Sequence, residues 1–116
     1  MRVLVCGGRD YHDMNYVDEV LSEIQPTVII EGGARGADFL AANWARSNLS
    51  ADALVTFNAD WDAHGKAAGP IRNQKMLVEG KPDLVVAFPG GKGTADMISR
   101  AIRAGVPVRL VTEPQP

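Results

Sequence analysis

Charged side chains sit among glycines at three places in this chain: Gly7-Gly8-Arg9-Asp10, Gly32-Gly33-Ala34-Arg35-Gly36-Ala37-Asp38 and Pro89-Gly90-Gly91-Lys92-Gly93-Thr94-Ala95-Asp96. Glycine takes positive φ at no steric cost and lets a backbone come close to a ligand. Where such a stretch opens a helix, free N–H groups and the positive end of the helix dipole favour an anion. A lone Gly-Gly needs no more than a tight turn to explain it. Three polar glycine turns, with Arg35 and Lys92 inside two of them, point to a phosphate or a similar anion.

Spacing excludes two familiar nucleotide signatures. A P-loop needs glycine five positions before a Gly-Lys-Ser/Thr ending, but Val86 stands there and Gly93 follows Gly91-Lys92. A dinucleotide fingerprint through Gly91 and Gly93 needs glycine or alanine where Asp96 sits.

The individual side chains each have two readings. Thr94 opens a helix, as an N-cap or as a hydroxyl donor to phosphate. Arg9 and Arg35 face either ligand or solvent. Asp38 and Asp96 fall in first helical turns, where a carboxylate is stabilising by itself; their functional reading is ribose binding or acid–base work. In the long connection from Asn58 to Pro70, Trp61 either stacks on a base or packs, and Asp60 and His64 either meet a base edge or are solvated. Cys6 ends an apolar run and reads as core rather than nucleophile. His12 and His64 are the only histidines, and with no ligand cluster neither a metal nor another cofactor is expected.

These residues must be held by alternating strands and helices. Val3 to Cys6, Thr27 to Ile30, Ala53 to Phe57, Leu84 to Phe88 and Val106 to Val111 read as strands, several without alternation, as in a parallel sheet covered on both faces. Val17, Val20, Leu21 and Ile24 give one helix an apolar face, and Ala37, Leu40, Ala41, Trp44 and Ala45 a second. A third helix is expected from Pro70 to Glu79, with Ile71, Lys75 and Met76 on related turns and Gly80 as its stop. A fourth runs from Thr94 to Ala104, with Met97, Ile98, Ala101 and Ile102 inward and Gly105 ending it. The pattern predicts one α/β domain over 1–116, a Rossmann-like three-layer fold with a mostly parallel sheet of about five strands, and a frayed tail from Thr112 to Pro116. In such a sheet ligands bind beyond the carboxyl ends of the strands, where the three glycine turns gather.

These turns resemble the SLOG superfamily, which includes the LOG cytokinin-activating enzymes and the DNA-processing protein DprA. Pro89-Gly90-Gly91-Lys92-Gly93-Thr94 is similar to the LOG motif PGGxGT, Gly32-Gly33 through Gly36 to its earlier glycine loop, and Arg72-Asn73-Gln74-Lys75-Met76 to its arginine-containing helix. The whole chain most resembles the YspA/YpsA-related SLOG branch. The resemblance implies that Arg72, whose guanidinium fork suits phosphate oxygens, binds phosphate or ribose. LOG enzymes cleave the N-glycosidic bond of nucleoside 5′-monophosphates with this arginine and a glutamate in PGGxGTxxE. Met97 occupies the glutamate position here, and the neighbouring Asp96 lies one helical step of about 100° away.

Three functions follow as alternatives. The first is a module that binds a nucleotide or an ADP-ribose-like derivative, as sensor, carrier or sequestering agent. The second is a phosphoribohydrolase with Arg72 and Asp96 as catalytic groups, and the third is a partner-binding scaffold. The resemblance also implies a homodimer or higher homo-oligomer. A net charge of −2 excludes the broad basic face that nonspecific nucleic-acid binding needs. One cysteine excludes an intrachain disulfide, and the opening apolar run is too short for a signal peptide or a membrane span. A cytoplasmic setting is the expectation.

Overall fold

A computed structural model of the protein describes residues 1–112. Its elements are β1 (Arg2–Cys6), α1 (Met14–Ile24), β2 (Val28–Glu31), α2 (Ala37–Asn48), β3 (Leu54–Thr56), the single turn α3 (Trp61–His64), α4 (Ala68–Gly80), β4 (Leu84–Ala87), α5 (Lys92–Arg103) and β5 (Val108–Leu110). The strands form one parallel sheet in the order β3-β2-β1-β4-β5, so the α/β class and the parallel sheet read from the sequence both hold. Glu113 to Pro116 of the expected frayed tail lie outside the described residues.

The central strands are apolar apart from Arg2 and Glu31 at their ends, because both faces of the sheet are covered. Along β1, Val3 and Val5 join a cluster with Val17 and Leu21 of α1 and Ala41 and Trp44 of α2. Leu4 and Cys6 point the other way, toward Met76 of α4 and Met97 and Ala101 of α5. The period of two along each strand thus builds two cores, one per face. Trp44 is buried, and its indole N–H donates to Asp18 Oδ1 at 3.0 Å.

Local departures from the sequence reading have physical causes. Helix α4 starts at Ala68, which places Pro70 in the first turn, where its missing N–H costs nothing. It also runs through Gly80, and the left-handed residue after it is Lys81 (φ 51°). Gly80 is there for space: a Cβ would press Ile30 at 3.3 Å, and Arg2 donates to the Gly80 carbonyl through Nε and Nη2. Ile102, expected inward, is exposed, and on α4 Ile71 is exposed while Met76, Leu77 and Asn73 take the inner face. Strands β3 and β5 hold three residues each, shorter than the apolar runs that contain them. No helix among the described residues is long and apolar enough to cross a membrane.

The two core assignments make different predictions for one truncation each. Leu4→Ala opens a void at a fully buried position and should cost about 2–5 kcal/mol, whereas Ile102→Ala should stay within about 0.5 kcal/mol. Urea unfolding checks this, and similar losses for both would place Ile102 in the core.

Candidate functional site

The strand order reverses between β1 and β4, so the turns leaving these two strands diverge and leave a crevice beyond their carboxyl ends. The backbone of Gly8 stitches the surrounding turns together. Its N–H donates to the Pro89 carbonyl at 2.8 Å, and its carbonyl accepts from Ala37 N at 3.1 Å. No side chain fits in these contacts: a Cβ on Gly7 would lie 2.6 Å from that of Ala37, and one on Gly36 (φ 80°) would strike the Gly8 carbonyl.

The crevice is a cavity of about 610 Å³. Cys6 and Met76 form its floor, the Gly7-Gly8 turn and the first residues of α5 form its walls, and Arg72 and Asn73 enter from α4. Helix α5 begins at the N-cap Gly91 with no side chain capping it, so its first turn opens onto this space. The guanidinium of Arg9 lies over the ring of Trp61, 5.6 Å from its centroid, a cation–π contact at the rim. Beyond that pair lies a second lobe of about 590 Å³, bordered by Arg35, Gly33 and Asn58 and sharing Arg9, Trp61 and Arg72 with the first.

Two buried carboxylates hold the loop after β2. Glu31 accepts from Gly33 N at 2.7 Å through Oε1 and from the Thr56 hydroxyl through Oε2. Asp38 Oδ2 accepts from both Gly32 N and Ala34 N at 3.2 Å. Burial pushes the Asp38 carboxyl up to about 6. The Ala34 amide works against that shift, the Glu31 charge adds to it, and Arg72 and the Gly32 amide oppose it. Arg72 completes the unit by donating from Nη1 to the Gly32 carbonyl and from Nε to Asn73 Oδ1. Cys6, on the floor, is pushed up to about 12 by its burial and then by Asp38, so its thiol stays protonated and unreactive.

Asn73, 4 % exposed, links this unit to α5 by donating to the Gly93 carbonyl at 3.2 Å and to Asp96 Oδ2 at 3.0 Å. Asp96 also accepts from Arg100 Nε at 2.8 Å. Partial burial works to raise the Asp96 carboxyl, but the bonds from Arg100 and Asn73 and the charges of Arg100 and Arg103 outweigh it. The group therefore lies below the ordinary carboxylate range.

The structure gathers most of the sequence-derived site residues and redirects several. Gly7, Gly8, Arg9, Asp38, Trp61, Arg72, Asp96 and the Gly91 to Thr94 stretch all border the first lobe. Gly32, Gly33 and Arg35 border the second. Thr94 is not the N-cap: α5 begins two residues earlier, and Thr94 is buried on its first turn beside Gly90. Gly36 and Gly90 border neither lobe and serve the turns themselves. Asp60 also borders neither; it caps α3 by accepting from Ala63 N at 3.0 Å. His64 ends that turn, exposed and likewise away from both lobes. Arg35 pairs with Asp10 at 3.4 Å between two largely solvated side chains. Glu31, Asn58, Lys66 and Asn73 were not singled out by sequence reasoning. For Glu31 the signal was present, as an acidic residue ending an apolar strand before Gly-Gly; Asn73 carried none beyond its place beside Arg72.

A three-layer sheet with glycine turns gathered at its switch point defines a Rossmann-like α/β protein. More narrowly, residues 1–64 match the YspA, cpYpsA-related SLOG family, and the chain belongs to it. It is also 39% identical over 117 residues to the Gene 61 protein of Mycobacterium phage D29, across 92% of this chain and 93% of that one. The family match covers the first two glycine turns, and the similarity to the phage protein extends along nearly the full chain.

The raised pKa of Asp38 has a consequence for stability. An unfolded aspartate titrates near 3.9, so between about pH 4 and 6 the folded protein retains a proton that the unfolded chain has lost. The resulting stabilisation is complete below pH ~4 and is lost as pH rises through about 6. Asp38→Asn keeps an oxygen acceptor and lacks this titration. Wild type should therefore lose on the order of 1–3 kcal/mol relative to the variant across that window, read from urea unfolding. A constant difference would refute the raised value.

Proposed function

We propose that this protein binds a nucleotide or nucleotide-derived ligand, a nucleoside monophosphate or an ADP-ribose-like molecule, and acts as a sensor, carrier or sequestering module. The observation that carries the reading is the uncapped start of α5 opening onto a cavity bordered by Arg9, Lys66, Arg72 and Lys92. Unpaired N–H groups, the helix dipole and these cations all favour a phosphate there. The whole chain carries a net charge of −2, so this positive character is local to the crevice, as a small anion requires. Trp61, half exposed at the rim, offers an aromatic face for a base. Family membership supports a nucleotide-related role of this kind.

Two observations favour binding over N-glycosidic hydrolysis. Met97, at the position of the LOG glutamate, is buried in the core beside Leu4 and Met76 rather than in the cavity. The adjacent Asp96 is committed to Arg100 and Asn73 and held below the usual carboxylate range, which makes it a weak base.

A thermal-shift screen against AMP, NAD, ADP-ribose and cyclic ADP-ribose, followed by an assay for released base, tests the reading. The expected result is stabilisation by at least one of these without base release; release would establish the hydrolase instead. Gly93→Asp sharpens the test, because open space surrounds the new side chain and a carboxylate in the first turn suits the helix. The variant should keep or gain stability yet bind at least about 10-fold more weakly, because its charge occupies the anion's place. Unchanged affinity would move the anion away from α5.

A further inference from the structure

Asp38 is a buried carboxyl beside a cavity otherwise suited to anions, and the binding function assigns it no part. Its surroundings are fixed on every side. Glu31 reaches it from the end of β2, Arg72 from α4 and Cys6 from β1, while the Gly32 and Ala34 amides meet it from its own loop. Arg9, Lys66, Lys92 and Asp96 stand around the same cavity. Arg72 is the cation whose charge favours ionised Asp38, and an entering anion competes with Asp38 for that charge.

We propose that the site is proton-linked through Asp38: an anion entering the cavity is accompanied by protonation of this carboxyl. This proposal rests on the anion-binding reading above. A further negative charge brought into the cavity beside Asp38, whose carboxyl already feels Glu31, is opposed by Coulomb repulsion and by desolvation. Uptake of one proton removes the conflict, and Asp38 is the group placed to accept it. Both amides go to Oδ2, so Oδ1 is the oxygen that carries the proton and offers it to an oxygen of the ligand. The carboxyl is already displaced to about 6 before any ligand arrives, so only a modest further rise brings it into the neutral range. Cys6 does not compete, because its thiol remains protonated throughout that range.

The sign follows from linkage. A ligand that raises the pKa of Asp38 binds more tightly as pH falls from the bound-state value toward about 6, and its affinity levels off outside that window. The ligand also needs an acceptor oxygen at its Asp38 end, which a phosphate, pyrophosphate or sulfate supplies.

Calorimetry of ADP-ribose binding, in buffers of differing ionisation enthalpy, reads the proton directly. Its pyrophosphate is esterified at both ends and has no ionisation near neutrality, so any proton taken up is taken up by the protein. Wild type should take up a measurable fraction of a proton per ligand, about half near pH 6.5 for a one-unit rise, and lose about 10-fold in affinity across the window for that rise. Asp38→Asn should bind with pH-independent affinity and no linked uptake at this position. Binding without proton uptake in wild type, or uptake that persists in the variant, overturns the proposal and leaves the nucleotide reading intact. Sulfate, which does not titrate in this range, is run in parallel as a probe of the anion site alone. Proton-linked stabilisation by sulfate with no response to ADP-ribose supports the proposal and sinks the nucleotide reading. No binding of either probe at any pH sinks both.

Discussion

The carbonyl and amide of Gly8 reach two neighbouring turns at once, the amide to Pro89 and the carbonyl to the first residue of α2. Those bonds bring the ends of β1, β2 and β4 together at the one place where the strand order reverses. They need bare backbone on both sides, which is why Gly7, Gly8 and Gly36 have no room for a side chain. Everything that faces the crevice hangs from this contact: the loop after β2 on one side, the start of α5 on the other, and the cavity between them.

A second constraint fixes the chemistry of that cavity. Glu31 and Asp38 hold the loop amides from below, while Arg72 holds the Gly32 carbonyl from the α4 side. The loop is therefore gripped at both polar ends of its peptides, and its shape is set by the protein's own bonds. Burying the Asp38 carboxylate near that of Glu31 is also costly, and the raised pKa of Asp38 records that cost. Across the cavity, Asn73 ties Arg72 to Asp96 and so couples the α4 and α5 walls through three polar side chains.

Met97 departs from the motif whose glycines surround it, and its side chain lies in the core. The glycines and threonine that shape the α5 turn are all present, but the residue that would project a carboxylate is an apolar side chain packed under the sheet. Asp96, one step around the helix, is turned toward Arg100. The cavity beside it is bordered by the cations Arg9, Lys66, Arg72 and Lys92.

The strands, the four long helices and the three glycine turns were legible in the sequence, because apolar period and turn chemistry are local properties. Helix ends were less so: Gly80 invited a stop that Lys81 makes, and Thr94 invited a cap that Gly91 occupies. Which apolar residues face inward depends on what packs against them, so Ile102 was misplaced. Membership of the SLOG family was likewise readable from the glycine motifs. Only the tertiary structure decided that Glu31 and Asp38 meet Arg72 at one loop, that Asn73 bridges two helices, and that Asp60 caps a turn instead of facing the cavity. Those roles join residues as far apart in the chain as Gly32 and Arg72, and they arise only when the parallel sheet aligns its strand ends.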